Sequence, residues 1–353
     1  MTRRAKILIA FILVVVVLLL VFEPWRIFRP IPESFDSKPV GIMGTDCELT
    51  VLADGREQAE KALKAAETAL RSVEARMSLF LTASEVSRLN AADAGRFVSL
   101  SPMTVEVLLL SCHFDERTQG AFDVTHQPVL RLWRQGLKRG CEPTEPQLAA
   151  AREQTGWDKI ELLADGAKKR IAGASVDLGG IAKGYGIDRA VKAMALAGAI
   201  GGLVNVGGDI RCFGQAGDGS CWTIDVRNPF NRETVFAKVS LAAGAVCTSG
   251  NYERYTEIAS RRYSHIIDPR TGRPVDHVPS VTVVAPVAVT ADAWATALSV
   301  LGADGLDLLP PGAGIEAMIV TGTPDEHKVH MTAGFRKLLI RGPNLPRTGT
   351  VDK

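Results

Sequence analysis

The spacing of hydrophobic residues predicts a chain of short strands and amphipathic helices. From residue 56 to residue 77, small and aliphatic residues recur every three or four positions, which predicts a helix with one buried face. The short aliphatic run SVTVVAP at 280–286 favours a buried strand. The same criteria predict helices at 102–114, 145–155, 182–194 and 291–302, strands at 40–52, 203–210, 222–227, 236–241 and 314–322, and a hairpin at 157–171. Because strands and helices interleave irregularly, we expect one large α+β domain over 40–341 with mixed or antiparallel sheets.

The N-terminus has the pattern of a membrane segment. Sixteen consecutive apolar residues, Ile7–Phe22, follow a short basic stretch. The exit from this run, LVFEPW, lacks the small residues of a signal-peptide cleavage site, so we expect an uncleaved anchor. Because positive residues stay on the cytoplasmic side, the domain is expected to face the periplasm from a single-pass position in the cell inner membrane. The predicted division is cytoplasmic 1–6, transmembrane 7–22, linker 23–39, domain 40–341 and tail 342–353.

Composition and charge narrow the classes of function. Apolar residues make up 46% of the 353 residues and charged residues 23%, which are the proportions of a folded globular protein. Lys and Arg number 41 against 39 Asp and Glu, so the chain lacks the basic excess typical of nucleic-acid binding. We therefore expect no nucleic-acid partner.

The six cysteines show neither a C-x-x-C pair nor the Cys/His spacing of a zinc site. Cys212 and Cys221 flank a turn-rich stretch between two strand-like runs. In an oxidising compartment this pair fits a disulfide across a hairpin, and it fits equally well two small buried residues.

Two motifs carry residue types that suit an anionic ligand and a cation. In VDLGGIAKGYGID (176–188), Asp177 precedes four glycines and Lys183 at a helix start, where backbone amides can approach a phosphate or simply make a tight turn. In TADAWATAL, Asp292 and Thr296 are four residues apart and share one helix face. A carboxylate and a hydroxyl suit Mg²⁺ bound together with substrate phosphates, although by itself this motif favours Asp292 as a cap of its own helix.

A third motif, YSHIIDPRTGRPV, places His265 on a strand that enters a turn. Histidine can take up a proton near neutral pH, so His265 is either a general base or a structural strand residue. GAFDVT (120–125) sets an aromatic residue beside a carboxylate. NVGGDI (205–210) is a glycine-rich strand end that we interpret as packing.

Taken together, these motifs resemble the FAD:protein FMN transferase (ApbE-like) family. MGT (43–45), MSLF with SEVSRLN (77–90), GAFDVT, VDLGGIAKGYGID, NVGGDI, SHIIDPRTGRPV and ADAWATAL occur in the family's order across roughly residues 40–341. The resemblance implies an ApbE-like (T-fold-like) α+β domain. It also implies Mg²⁺-dependent transfer of the FMN half of FAD to a Thr hydroxyl of an exported or membrane-bound acceptor protein, with release of AMP.

The resemblance also assigns roles to residues. It implies that His265 is the base on the acceptor hydroxyl and that the metal ligands are the Gly180 carbonyl with the side chains of Asp292 and Thr296. The FAD contacts that it implies are Met43, Phe80, Ala121, Phe122, Asp123, Asp177, Lys183 and Ile266.

Two residues depart from the family pattern. Phe80 stands where many relatives have Tyr, which removes a hydroxyl but keeps a stacking ring. Ala295 stands where some relatives offer Asp to the metal.

The sequence leaves two other functions open, an FAD pyrophosphatase that forms FMN and AMP, and a non-catalytic flavin carrier or maturation factor.

Overall fold

The computed structural model describes Arg4 and residues 32–250, 255–258, 261–342 and 351–352. Its helices are α1 (Arg56–Met77), α2 (Glu85–Ala91), α3 (Pro102–Arg117), α4 (Gln127–Arg139), α5 (Glu145–Arg152), α6 (Ala182–Leu196), α7 (Ala288–Leu301) and α8 (Ala333–Leu338). Short 3₁₀ turns cover Trp157–Lys159 and Gly302–Leu308. The predicted membrane segment at 7–22 lies outside the described residues. Among the residues that are described, no helix is both long and apolar enough to cross a bilayer.

The strands form one large sheet and several small ones. They are β1 (Glu33–Ser37), β2 (Cys47–Ala53), β3 (Phe97–Ser99), β4 (Ile160–Leu163), β5 (Gly166–Lys169), β6 (Gly201–Val206), β7 (Asp209–Phe213), β8 (Trp222–Asn228), β9 (Asn231–Leu241), β10 (Gly244–Gly250), β11 (Tyr255–Ile258), β12 (Arg261–Ser264), β13 (Ile267–Asp268), β14 (Arg273–Pro274), β15 (Ser280–Ala285), β16 (Glu316–Gly322), β17 (His327–Met331), β18 (Leu339–Arg341) and β19 (Val351–Asp352).

Within the described residues the large sheet has the order β1-β2-β6-β7-β10-β15-β16-β17-β19. Its neighbours are antiparallel except for the parallel pair β17 and β19. Smaller sheets have the orders β18-β9-β8 and β3-β5-β4, and two ribbons pair β11 with β12 and β13 with β14. The prediction of a single α+β domain with largely antiparallel sheets is confirmed.

The central strands of the large sheet are covered on both faces, so they are apolar on both sides. On β15, Val281 and Val283 belong to the main core, whereas Val284 faces a second core formed with β8, β9 and α8. Helices α1, α6 and α7 pack in that order over the main core, and α7 lies on β10 and β15. As predicted, α1 buries one face, which carries Ala59, Ala62, Ala66, Leu70, Val73 and Met77. This layer of three helices places the start of α6 beside the middle of α7.

The strand predicted at 203–210 is instead a hairpin of β6 and β7. Gly207 and Gly208 both have positive φ (64° and 93°), the backbone that a two-residue hairpin turn requires. The chain therefore reverses between Val206 and Asp209, which are paired. The Gly-Gly pair between the two runs is itself a hairpin signal, which the prediction of a single strand overlooked.

Several elements differ from the prediction. Strand β1 lies inside the predicted linker at 23–39, and the backbone of β19 pairs within the predicted tail at 342–353. Strand β1 was missed because it is an edge strand with a mostly exposed pattern. Helix α4 and strand β10 were also not predicted, and both contribute to the site described below.

The suggested disulfide between Cys212 and Cys221 is wrong, since both are free thiols in the structure. Strand β7, which carries Cys212, pairs with β6 and β10, whereas β8 pairs with β9. Cys212 is buried, as the alternative interpretation predicted, and its Sγ donates to the Gly244 carbonyl at 3.6 Å. Cys221 is exposed, so the alternative was right for only one of the two residues.

Candidate active site

A cavity of about 450 Å³ brings together residues that are far apart in the chain. Its volume lies within the range of small-molecule sites. Its walls come from the segment before α6, from α4 and α7, from the end of β10 and from the segment after β12. Every predicted site residue except Met43 lines this cavity: Phe80, Ala121, Phe122, Asp123, Asp177, Gly180, Lys183, His265, Ile266, Asp292 and Thr296.

Asp292 and Thr296 lie one turn apart on α7 and face the start of α6. Asp292 is only 4% exposed, and its Oδ2 accepts the backbone N–H of Gly184 at 2.9 Å. A Cβ on Gly180 would lie 3.1 Å from Thr296 Oγ1, so the absence of a side chain there lets the backbone approach this hydroxyl closely. Burial raises the pKa of the Asp292 carboxyl above its usual range, although nearby Lys183 opposes the rise.

Lys183 forms an ion pair with Asp209, a residue that sequence reasoning assigned only to packing. Asp209 is 2% exposed, and its second oxygen, Oδ1, accepts the backbone N–H of Thr248 at 3.1 Å. Burial by itself would lower the pKa of Lys183, but the carboxylates of Asp209 and Asp292 raise it overall. The ammonium group is therefore held in its charged form. Asp209 comes directly after Gly207 and Gly208, at the end of a hairpin turn. This position was the sequence signal that could have identified it.

Asp177 and Arg134 hold another part of the cavity wall. Asp177 Oδ1 accepts the backbone N–H of Gly179, and its Oδ2 accepts Arg134 Nη2, both at 2.9 Å. Arg134 was missed because α4 was not predicted, although its side chain lines the cavity. Asp123 holds its own loop, since its Oδ1 accepts the N–H of Thr125 at 2.7 Å. These contacts fix the loops that form the wall.

His265 follows the last residue of β12 and is exposed, and it lines the cavity. The turn that follows it is held by α4, because Trp133 Nε1 donates to the Gly272 carbonyl at 2.8 Å. The Trp133 ring also packs against Tyr263, with ring centroids 5.4 Å apart. Helix α4 therefore supports the segment that presents His265 to the solvent.

Phe80 and Met43 occupy different environments. The Phe80 side chain is 89% exposed at the rim of the cavity, where a flat ring is free to stack. Met43 lies outside the lining, with its backbone in the left-handed region (φ 51°) and its N–H donating to Glu74 Oε1 at 2.9 Å. Its side chain packs against Gly186 on α6. The MGT motif instead contributes Thr45 to the cavity.

The donor set fits a hard divalent cation that shares its coordination with a phosphate. The candidate ligands are a carboxylate, a hydroxyl and the Gly180 carbonyl, which are oxygen ligands of the kind Mg²⁺ prefers. Across the described part of the chain, no group of three or more His, Cys, Asp or Glu side chains is placed to hold a metal ion by itself. The described lining also carries three carboxylates (Asp123, Asp177, Asp292) but only two permanent cations (Lys183, Arg134). A pyrophosphate would therefore meet an acidic cavity unless a cation accompanied it.

Comparisons with known proteins agree with one another. A sequence profile of the ApbE family matches residues 43–319. The FAD:protein FMN transferase of Haemophilus influenzae is 33% identical over 308 residues, which cover 84% of this chain and 89% of the relative. The corresponding enzyme of Klebsiella pneumoniae is 31% identical and covers 86% of this chain and 89% of the relative.

Solved structures show the same similarity. The flavin transferase ApbE from Vibrio cholerae superposes with a TM-score of 0.76 at 30% identity, covering 87% of this chain and 100% of that one. The apo form of the Pseudomonas stutzeri flavinyl transferase ApbE also has a TM-score of 0.76 at 30% identity, with coverages of 88% and 98%.

Proposed function

The chain belongs to the ApbE family, and we propose that it transfers the FMN moiety of FAD to a Thr hydroxyl of an exported or membrane-bound acceptor protein, releasing AMP with the help of Mg²⁺. The coarser part of this function, flavin transfer from FAD to protein by a transferase enzyme, is the activity for which its relatives are named. FAD is the substrate, and a protein is the acceptor.

One observation carries the proposal. The same cavity joins two oxygen donors, the buried carboxylate of Asp292 and the half-buried hydroxyl of Thr296, to an exposed histidine, His265. A small substrate can be enclosed beside these two donors, whereas an acceptor hydroxyl from another protein must arrive from outside. The exposure of His265 supports the proposal, because a base at this position would be within reach of a macromolecular acceptor.

In the proposed reaction, the acceptor Thr oxygen attacks the phosphorus on the FMN side of the pyrophosphate. The Thr hydroxyl proton passes to a ring nitrogen of His265 as the new P–O bond forms. The bond from this phosphorus to the bridging oxygen breaks, and that oxygen leaves with AMP. The products are a Thr–FMN phosphoester and AMP, so both bonds and protons balance.

The remaining cavity residues bind and orient FAD in this scheme. Lys183, kept charged by Asp209, would face the pyrophosphate, and Phe80 would stack on a ring at the rim. Asp177 and Asp123 hold the loops that contact FAD. Gly180, Asp292 and Thr296 would hold Mg²⁺, which when bound neutralises charge on the phosphate oxygens.

The predicted anchor at 7–22 fits this function, because an enzyme tethered to the membrane meets membrane-bound acceptors at a raised effective concentration. A covalent flavin is also retained outside the cytoplasm, where a dissociating cofactor would be lost. We propose this location on the sequence pattern alone.

The direct test is co-expression of the full chain with a membrane-associated acceptor domain, followed by mass spectrometry of the acceptor. We expect one FMN adduct on a Thr, and none when that Thr is replaced by Val. A parallel incubation with FAD and Mg²⁺ but without acceptor measures hydrolysis. Stoichiometric free FMN there, together with an unmodified acceptor, would identify the protein as an FAD pyrophosphatase instead.

A further inference from the structure

Helix α7, which carries Asp292 and Thr296, begins without a capping side chain from its own segment. Its N-cap residue is Val287, whose side chain cannot accept a hydrogen bond. The backbone N–H groups of Ala288 and Val289 donate instead to the carboxylate of Asp188, at 2.8 Å to Oδ1 and 2.9 Å to Oδ2. The cap of α7 is thus supplied by α6, from a residue 100 positions earlier in the chain.

The Asp188 carboxylate is itself fixed. Arg211 on β7 donates through Nη1 to Asp188 Oδ1 at 2.6 Å, and the Asp188 side chain is only 15% exposed. Three donors from two elements therefore converge on one carboxylate. A negative charge at the N-terminus of a helix is also favourable, because the helix dipole is positive there.

Helix α6 contacts α7 at two levels on one face. Gly184 and Asp188 are four residues apart, so they lie one turn apart on the same side of α6. Gly184 donates its N–H to Asp292, while Asp188 holds the first turn of α7, from which Asp292 follows within one turn. The orientation of the Asp292 carboxylate is therefore set from two points on α6.

We propose that Asp188 is a positioning residue for the cation site. By fixing the first turn of α7, it aligns the oxygens of Asp292 and Thr296 toward one point beside the Gly180 backbone. This inference rests on the proposed Mg²⁺ dependence, because it assigns to Asp188 an effect on cation affinity. Residues that hold metal ligands in place without binding the metal themselves commonly affect metal affinity, because they set the orientation of the ligands.

The test compares Asp188→Asn with the unmodified full chain. Asn has the same size as Asp, but its NH₂ group would face at least one backbone N–H of α7, and the loss of charge would weaken the pairing with Arg211. Mn²⁺ is titrated into the protein in the presence of FAD and without acceptor, and free Mn²⁺ is read by electron paramagnetic resonance. We expect affinity to fall about 10-fold or more. In transfer assays we expect the rate to be restored by raising Mg²⁺, with the KM for FAD at saturating Mg²⁺ unchanged.

Two further variants separate positioning from a loss of stability. Thr332→Ala removes a side-chain cap from α8, which does not line the cavity, and should lower the melting temperature while leaving Mn²⁺ affinity unchanged. Asp188→Glu keeps a charge beside the helix end but displaces the carboxylate by one methylene. It should fold even if Asp188→Asn does not, and it should also bind Mn²⁺ more weakly.

The outcomes distinguish this inference from the proposed function. If Asp292→Ala lowers Mn²⁺ affinity but both Asp188 variants bind Mn²⁺ like the unmodified protein, Asp188 is only structural and the inference is overturned. If Asp292→Ala itself binds Mn²⁺ normally, the proposed metal site fails instead.

Discussion

The close contact between α6 and α7 at Gly184 allows a prediction worked from distances. A Cβ placed on Gly184 would lie 2.4 Å from the carbonyl oxygen of Ala288 and 2.8 Å from the Cβ of Asp292. Ordinary contacts begin at about 3.4 Å, so Gly184→Ala requires α6 and α7 to separate locally by about 1 Å. The obstructing atoms belong to backbone and to a Cβ, which cannot rotate away.

The effect on activity should exceed the effect on stability. Overpacking of this kind costs about 1–3 kcal/mol, and the better helix propensity of Ala returns about 1 kcal/mol. The free energy of unfolding should therefore fall by about 0–2 kcal/mol, which an ordinary stability of about 5–15 kcal/mol tolerates. In contrast, a displacement of about 1 Å at a reacting site can lower a rate by about 100-fold. Moving α6 and α7 apart would also lengthen the hydrogen bond from the Gly184 N–H to Asp292 Oδ2.

The assay follows FMN transfer to an acceptor domain, and urea unfolding gives the stability of the same preparations. Gly186→Ala is the matched control, since its Cβ would meet the terminal methyl of Met43, a flexible side chain that can move. We expect the control to transfer FMN at nearly the unmodified rate. A folded Gly184→Ala variant with an unchanged rate would refute the argument that this helix contact sets the geometry of the site.

Four other predictions test separate parts of the molecule. Asp292→Ala should keep the fold but no longer transfer FMN, because loss of a metal carboxylate removes several kcal/mol of transition-state stabilisation. FMN transfer by this variant at the rate of the unmodified protein, at limiting Mg²⁺, would contradict the assignment of Asp292 as a metal ligand. His265→Ala should bind FAD nearly normally and transfer FMN about 10²–10⁴-fold more slowly. The unmodified rate should fall as histidine becomes protonated on acidification, and the variant should lose this dependence. The full chain should sediment with membranes and retain its own N-terminus, whereas a soluble form beginning between 23 and 35 would show cleavage. Native alkylation should label the exposed thiols of Cys141 and Cys221 and spare Cys47 and Cys212, whose pKa values burial raises to about 11.

The sequence by itself determined the features that depend on local spacing. The buried face of α1, the hairpin of β4 and β5 and the glycine-rich start of α6 follow from periodicity and turn residues within short segments. The order of the motifs determined the family, and all but one of the site residues that those motifs supplied line the cavity, although the unpredicted α4 and β10 also contribute to its walls. Met43 is the exception, because its left-handed backbone turns its side chain toward α6.

Tertiary structure decided the features that depend on partners distant in sequence. Asp209 looked like a packing residue until the reversal at Gly207 and Gly208 brought it beside Lys183. Helix α7 begins at Ala288, three residues before the predicted start, because Asp188 satisfies N–H groups that no neighbouring side chain could satisfy. Such contacts leave no local pattern, since each polar group is satisfied by a residue that only the folded chain brings within hydrogen-bond distance.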